Sequence, residues 1–190
     1  MFNDNLYIER YLTINEALHY AKYLHQGQVR KYTGEPYVNH CIAVATKVSR
    51  YISDPEIVAA ALLHDTVEDC SGYPHGNVED LIRKKFGDNV SKYVWFLTKT
   101  PEFVGTREER KKLDNLRLAL APLPVIFIKL CDVMHNSTDI RNLDPDFWKT
   151  FRVESKMLAY ATRFATVAGM YGDDDFVVEY SHWWDSLEDR

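Results

Sequence analysis

An all-α fold is what this sequence predicts, and three observations carry the prediction. Apolar residues recur at three- and four-residue spacing along most of the chain, the period of a helix with one buried face. Helix-opening signals stand ahead of those runs: Thr13 with Glu16, Asp54-Pro55, Thr106 with Glu109, and Asp144-Pro145. These are capping boxes, or an N-cap followed by proline in the first turn. The one stretch that reads as a strand by composition, Val125-Ile126-Phe127-Ile128, has no partner run elsewhere to pair with.

Taken in order, Thr13 and Glu16 open a helix with Ala17, Leu18, Ala21 and Leu24 as its apolar face and Gly27 near its end. A polar loop, residues 28–36, follows. Tyr37 to Ile52 is helical again, with Ile42, Ala45, Val48 and Ile52 as core positions. Asp54-Pro55 opens a helix whose run from Ile57 to Leu63 contains no Gly or Pro and is rich in Ala and Leu, both strong helix formers. That helix is expected to continue through His64-Asp65-Thr66-Val67-Glu68-Asp69. Ser71 to Asn77 is a loop, by its Gly72, Pro74 and Gly76. Val78 to Phe86 is a short helix stopped by Gly87, and Asp88 caps another that runs to about Thr98. A strongly charged helix runs from Thr106 through Leu120 until Pro122 and Pro124 break it. The run from Val125 continues to Ile140 as a buried helix. Asp144-Pro145 starts a long helix to about Ala168, with Gly169 as its stop, and a last amphipathic helix spans about Phe176 to Leu187 with Trp183 and Trp184. The expectation is one domain over residues 1–190, with about eight or nine helices.

Composition narrows the function. With 46% hydrophobic and 27% charged residues the chain is an ordinary globular one. Its net charge of -5 argues against a general nucleic-acid or membrane-surface binder, while local basic clusters leave room for a small anionic ligand. The longest apolar runs have about seven residues, far short of the roughly 20 that span a bilayer. Met1-Phe2-Asn3-Asp4-Asn5 has neither the basic nor the apolar region of a signal peptide. Cys41, Cys70 and Cys131 are an odd count without paired spacing, which suits reduced thiols in a cytoplasm.

The chemistry concentrates after the apolar run. His64, Asp65, Glu68 and Asp69 fall within six residues. On a helix, positions three or four apart share a face, so His64 is expected near Glu68, and Asp65 near Glu68 and Asp69. Burying such a cluster without a cation is costly, and a divalent metal is the simplest compensation. An exposed, merely acidic helix end is the other reading. His40, in Pro36-Tyr37-Val38-Asn39-His40, and Asp132, after Ile128-Lys129-Leu130-Cys131, can join the cluster.

These blocks resemble the HD-domain metal-dependent phosphohydrolases, and most closely the hydrolase domain of RelA/SpoT proteins with its stand-alone small-alarmone-hydrolase relatives. The resemblance rests on Gly27-Gln28-Val29-Arg30-Lys31, Gly34-Glu35-Pro36-Tyr37-Val38-Asn39-His40, Leu62 through Asp69, and Ile128 through Asp132 with His135-Asn136. It spans about residues 13–160. It implies that His40, His64, Asp65 and Asp132 hold one metal, taken as Mn2+, although two imidazoles and two carboxylates also suit Fe2+ or Zn2+. It implies that Glu68 and Asp69 orient water or move protons. In that family water cleaves the 3′-diphosphate ester of (p)ppGpp, giving pyrophosphate and GDP or GTP. It places Arg30 and Lys31 beside the nucleotide, Asn136 in its pocket, and Arg152 on a phosphate. Lys99 or Arg107 is a further phosphate contact. Arg110, Lys111 and Lys112 read as a solvated helix face, Lys129 as a snorkelling lysine, and the three cysteines as small buried fillers.

The chain also departs from the family pattern. The Arg30–Gly34 loop is one residue longer than the common bacterial form, Cys41 replaces a proline, Thr138 stands where arginine is common, and Lys156 sits where animal relatives have a pocket tyrosine. These changes spare the metal set and bear on nucleotide preference, so Lys156 joins the substrate-contact candidates. No synthetase domain is expected after Arg190. The rival readings are a phosphatase of another nucleotide, such as pppApp or the 2′-phosphate of NADPH, and a non-catalytic nucleotide- or partner-binding module. A toxic alarmone synthetase neutralised through hydrolysis is a further partner implied.

Overall fold

The computed structural model describes residues 4–72, 74–101 and 104–188, with side chains from residue 11 onward. Among the described residues there are ten helices and no strand. The chain divides into two compact units, Met1–Thr98 and Lys99–Arg190.

The first unit is arranged on α3, Pro55–Leu63. Its seven residues from Ile57 to Leu63 are all buried, as expected of a helix that is apolar all round and must be enclosed. It packs against α1 (Asp4–Leu24), α2 (Val38–Ser49) and α5 (Val78–Leu97). Asp54 caps it by accepting the Glu56 amide at 2.9 Å, with Pro55 in its first turn. The helix stops at His64, and a separate five-residue helix, α4 (Thr66–Cys70), starts after Asp65. The expected continuous helix through Asp69 is therefore two pieces. Thr13 and Glu16 lie inside α1 rather than at its start, so the first capping box does not form, because the residues ahead of Thr13 continue the helix. Gly87 kinks α5 at φ 87°, a left-handed conformation that glycine adopts without steric cost. Gly87 is non-helical at ψ 176°, so α5 is two helices meeting at a kink, as the sequence predicts.

The second unit is built on α7, Leu123–Leu143, whose Val125–Ile128 segment is buried helix, not strand. α8 (Pro145–Thr162) and α9 (Phe164–Tyr171) pack on it, α6 (Arg107–Ala119) packs on α8, and α10 (Asp174–Ser186) packs on α9. Thr106 and Glu109 form the expected capping box of α6. The long helix expected from Pro145 to Ala168 breaks at Arg163, which takes left-handed φ 56° and ψ 47°. The C-terminal helix is fixed to α7 by Phe176 against Phe127, with ring centroids 5.0 Å apart, and by the Trp183 indole donating to Ser137 at 2.8 Å.

Candidate metal centre

Three elements of the first unit bring His40, His64 and Asp65 together. His40 lies in the first turn of α2, and His64 and Asp65 form the turn between α3 and α4. All three are buried. Nε2 of His64 lies 3.1 Å, and Nε2 of His40 3.5 Å, from Oδ2 of Asp65. One ligand atom from each falls within 4.8 Å of the others, a spacing that a single ion can bridge.

The surroundings prepare these atoms. Nδ1 of His64 is 2.8 Å from the Ala61 carbonyl. A carbonyl only accepts, so Nδ1 carries the proton and Nε2 keeps the lone pair that a metal needs. The Tyr37 hydroxyl donates to Oδ2 of Asp65 at 2.8 Å, which favours the ionised carboxylate. Two imidazole nitrogens and a carboxylate are a donor set for a divalent cation. These residues therefore fit a metal. Glu68 and Asp69 ride on α4 as exposed carboxylates, and the Asp69 amide bonds the Asp65 carbonyl at 2.9 Å. One turn thus separates the acid pair from the His64–Asp65 turn.

The loop before α2 is shaped by its backbone. The Arg30 amide donates to Glu35 O at 2.8 Å, and the Tyr37 amide donates to Gln28 O at 2.9 Å. Gly34 turns the loop at φ 73°. The Arg30 guanidinium lies 5.8 Å from the Tyr37 ring centroid, while Lys31 is exposed beside Tyr32.

In the second unit Asp132 is buried on α7. Lys129 Nζ sits 2.7 Å from its Oδ2, and the Asn136 amide donates to its Oδ1 at 2.7 Å. Lys129 does not snorkel to solvent, because its ammonium lies on this carboxylate. Arg107 grips Glu154 with two bonds of 2.6 and 2.9 Å. Lys111 is not a solvated face residue: its side chain is 35% exposed and reaches Glu154 at 3.7 Å. Burial first, and then Lys129, holds its ammonium below the ordinary value, with Lys99 and Arg107 adding to the effect and Glu154 opposing it. Lys99 is exposed, Arg152 half-buried, and Lys156 pairs with Glu188 at 2.9 Å.

Comparison with known proteins places this geometry. The family described as HD domain matches residues 17–170. The chain belongs to the HD domain family. HD domain relatives include the guanosine-3′,5′-bis(diphosphate) 3′-pyrophosphohydrolase MESH1 of Drosophila melanogaster, 37% identical over 136 residues, which are 70% of this chain and 72% of that protein. The guanosine-3′,5′-bis(diphosphate) 3′-pyrophosphohydrolase of Haemophilus influenzae is 33% identical over 130 residues, 66% of this chain but 18% of that protein. The chain thus spans under a fifth of the first bacterial relatives it matches. A solved structure, described as a metazoan ortholog of SpoT that hydrolyzes ppGpp and plays a role in starvation responses, superposes with TM-score 0.73 at 27% identity, covering 92% of this chain and 94% of that one.

Sequence reasoning on this HD domain chain missed Tyr37 on Asp65, Lys129 on Asp132 and the half-buried Lys111. A phenol three residues ahead of His40, in the same first turn, is the one signal that pointed to Tyr37. The cysteines are free and buried, as expected of fillers. Among the described residues no helix is long and apolar enough to cross a membrane.

Proposed function

We propose that the chain hydrolyses the 3′-diphosphate of (p)ppGpp, releasing pyrophosphate and GDP or GTP. The observation that carries this is the meeting of His40, His64 and Asp65 in a chain whose family relatives bear that activity in their names. In this reading His40, His64, Asp65 and Asp132 hold one divalent ion, which we take to be Mn2+. When bound, such an ion acidifies water and neutralises charge on a phosphoryl oxygen.

The chain's own groups do the rest. Glu68 takes the proton of the attacking water and Asp69 orients that water. Both are exposed one turn beyond Asp65, and carboxylates are among the side chains that serve as general bases. Water oxygen bonds to the 3′-phosphorus, the bond to the ribose oxygen breaks, and that oxygen leaves with the proton that Glu68 took from the water. Arg30 stacks on the base and Lys31 meets a phosphate, as a planar guanidinium and a compact ammonium allow. Asn136 fixes Asp132 and lines the nucleotide pocket, and Lys99, Arg152 and Lys156 receive phosphates. We read both compact units as one HD domain, because the family match runs through each, and the protein as cytoplasmic, because its three thiols are free.

Purified protein with Mn2+ is mixed separately with ppGpp, pppGpp, pppApp and NADPH, and products are separated by anion exchange. Pyrophosphate with GDP or GTP from the guanosine substrates is the expected result. Phosphate from NADPH alone would move the reading to a 2′-phosphatase, and no turnover of any substrate would overturn it.

A further inference from the structure

His25 takes no part in the chemistry above, yet it is buried at 2% exposure directly after α1. Its Nδ1 lies 2.7 Å from Oε1 of Gln28. An amide oxygen only accepts, so Nδ1 carries the proton and Nε2 the lone pair. Nε2 faces the Cys41 thiol at 3.7 Å, and Cys70 lies 3.5 Å from Nδ1. The ring stacks on Tyr37, with centroids 4.9 Å apart and planes at 26°. A leucine or phenylalanine would fill this volume without the cost of burying a polar ring. The directional contacts distinguish the imidazole from such a filler.

Two arms leave His25. One runs through Tyr37, whose hydroxyl donates to Asp65 at 2.8 Å. The other runs through Gln28, whose side-chain amide donates to the Asp69 carbonyl at 3.1 Å. That carbonyl belongs to the last turn of α4, where carbonyls have no partner within the helix. A helix of five residues does not hold itself together, so an outside tie decides where its side chains sit. Both ties cross long stretches of chain, 28 residues for Tyr37 to Asp65 and 41 for Gln28 to Asp69.

We propose that His25 is the positioning residue of the first unit: through Tyr37 it aims the Asp65 carboxylate at the metal, and through Gln28 it sets the helix that carries Glu68 and Asp69. This rests on the function proposed above. His25 touches no reacting atom and acts through its two neighbours.

The arms separate by substitution. His25→Asn keeps a donor for Gln28 and loses the ring against Tyr37. His25→Phe keeps the ring and loses the donor. Mn2+ affinity is measured by electron paramagnetic resonance titration, kcat and KM by pyrophosphate release, and folding by circular dichroism and Tm. Tyr37→Phe and His25→Asn are expected to weaken Mn2+ binding about tenfold, the lower end for loss of a group that orients a ligand. Gln28→Ala and His25→Phe are expected to keep Mn2+ affinity and KM while kcat falls about tenfold or more, the order of effect that small misplacements produce. A merely structural histidine would lower Tm in both variants without this split. If the His25 variants do not fold, Tyr37→Phe and Gln28→Ala still decide: wild-type Mn2+ affinity in the first, or wild-type kcat in the second, overturns the proposal. If wild-type protein releases no pyrophosphate, the functional reading fails by itself, and the Mn2+ titrations then judge the positioning role.

Discussion

Asp65 receives a phenol and faces two imidazoles, whereas Glu68 stands exposed on the next turn. The two carboxylates therefore answer differently to substitution. Asp65→Ala removes a carboxylate of the proposed ligand set and is expected to abolish both metal binding and turnover. Glu68→Ala removes nothing from the ligand set, and as a surface change it should move stability by no more than about 0.5 kcal/mol. Its kcat is expected to fall about a hundredfold or more, the usual loss with a general base. Calorimetric metal titration beside a turnover assay checks both, and a fully active Glu68→Ala protein would remove that residue from the mechanism. The His64 and Asp65 part of the buried cluster was legible because the two are adjacent and follow an apolar run. The hydrogen bonds from Tyr37 to Asp65 and from Gln28 to Asp69 were not, because contacts across 28 and 41 residues leave no periodic trace. The thiols give another test. Burial first, then the neighbouring Asp69 charge, pushes Cys70 up to about 11, so it is a thiol near pH 7.5, where the thiolate is the reactive form. Native protein is expected to give no rapid reaction with an aromatic disulfide reagent, and denatured protein to give all three thiols. A fast native thiol would contradict the burial.

The α3–α4 junction and the α8–α9 junction are where the expected helices failed, and the reasons differ. At His64–Asp65 the break turns both side chains toward His40 while the Asp69 amide still reaches the Asp65 carbonyl. Tertiary placement there outweighs a run of good helix formers. At Arg163 no proline or glycine announces a stop, yet the backbone turns left-handed and its amide satisfies the carbonyls of Ala159 and Tyr160. A left-handed side-chain-bearing residue costs about 1–2 kcal/mol, and arginine offers nothing in sequence to reveal it. Arg163→Gly relieves that cost and returns part of it as unfolded-chain entropy. A net stabilisation of up to about 1 kcal/mol is expected, seen as a higher urea midpoint at unchanged m. A lower midpoint would show that the arginine side chain contributes more than its backbone costs. Elsewhere the caps were read correctly at Asp54, Thr106 and Asp144, because a cap is a local rule that a few adjacent residues satisfy.

Folding buries His40, His64 and Asp65 together, at the end of a helix that is itself enclosed. The unfolded chain holds no such arrangement of atoms, so an ion that binds this cluster binds the native state and pulls the folding equilibrium toward it. At a free concentration of 100 times Kd the gain is about 2.7 kcal/mol. For a chain of this length each kcal/mol moves Tm by roughly 2–4 °C, so the shift on going from EDTA to saturating Mn2+ should be about 5–10 °C. Asp65→Asn keeps the side-chain volume and gives up the anionic oxygen, and it should melt at one temperature with or without Mn2+. Mg2+ is the informative control, because it sheds water reluctantly and takes oxygen ligands, whereas two of the atoms here are imidazole nitrogens. A protein whose Tm rises with Mn2+ and not with Mg2+ holds the ion on its histidines. Equal shifts from both ions, or a shift that survives Asp65→Asn, would place the ion on surface carboxylates and take the metal away from the buried cluster.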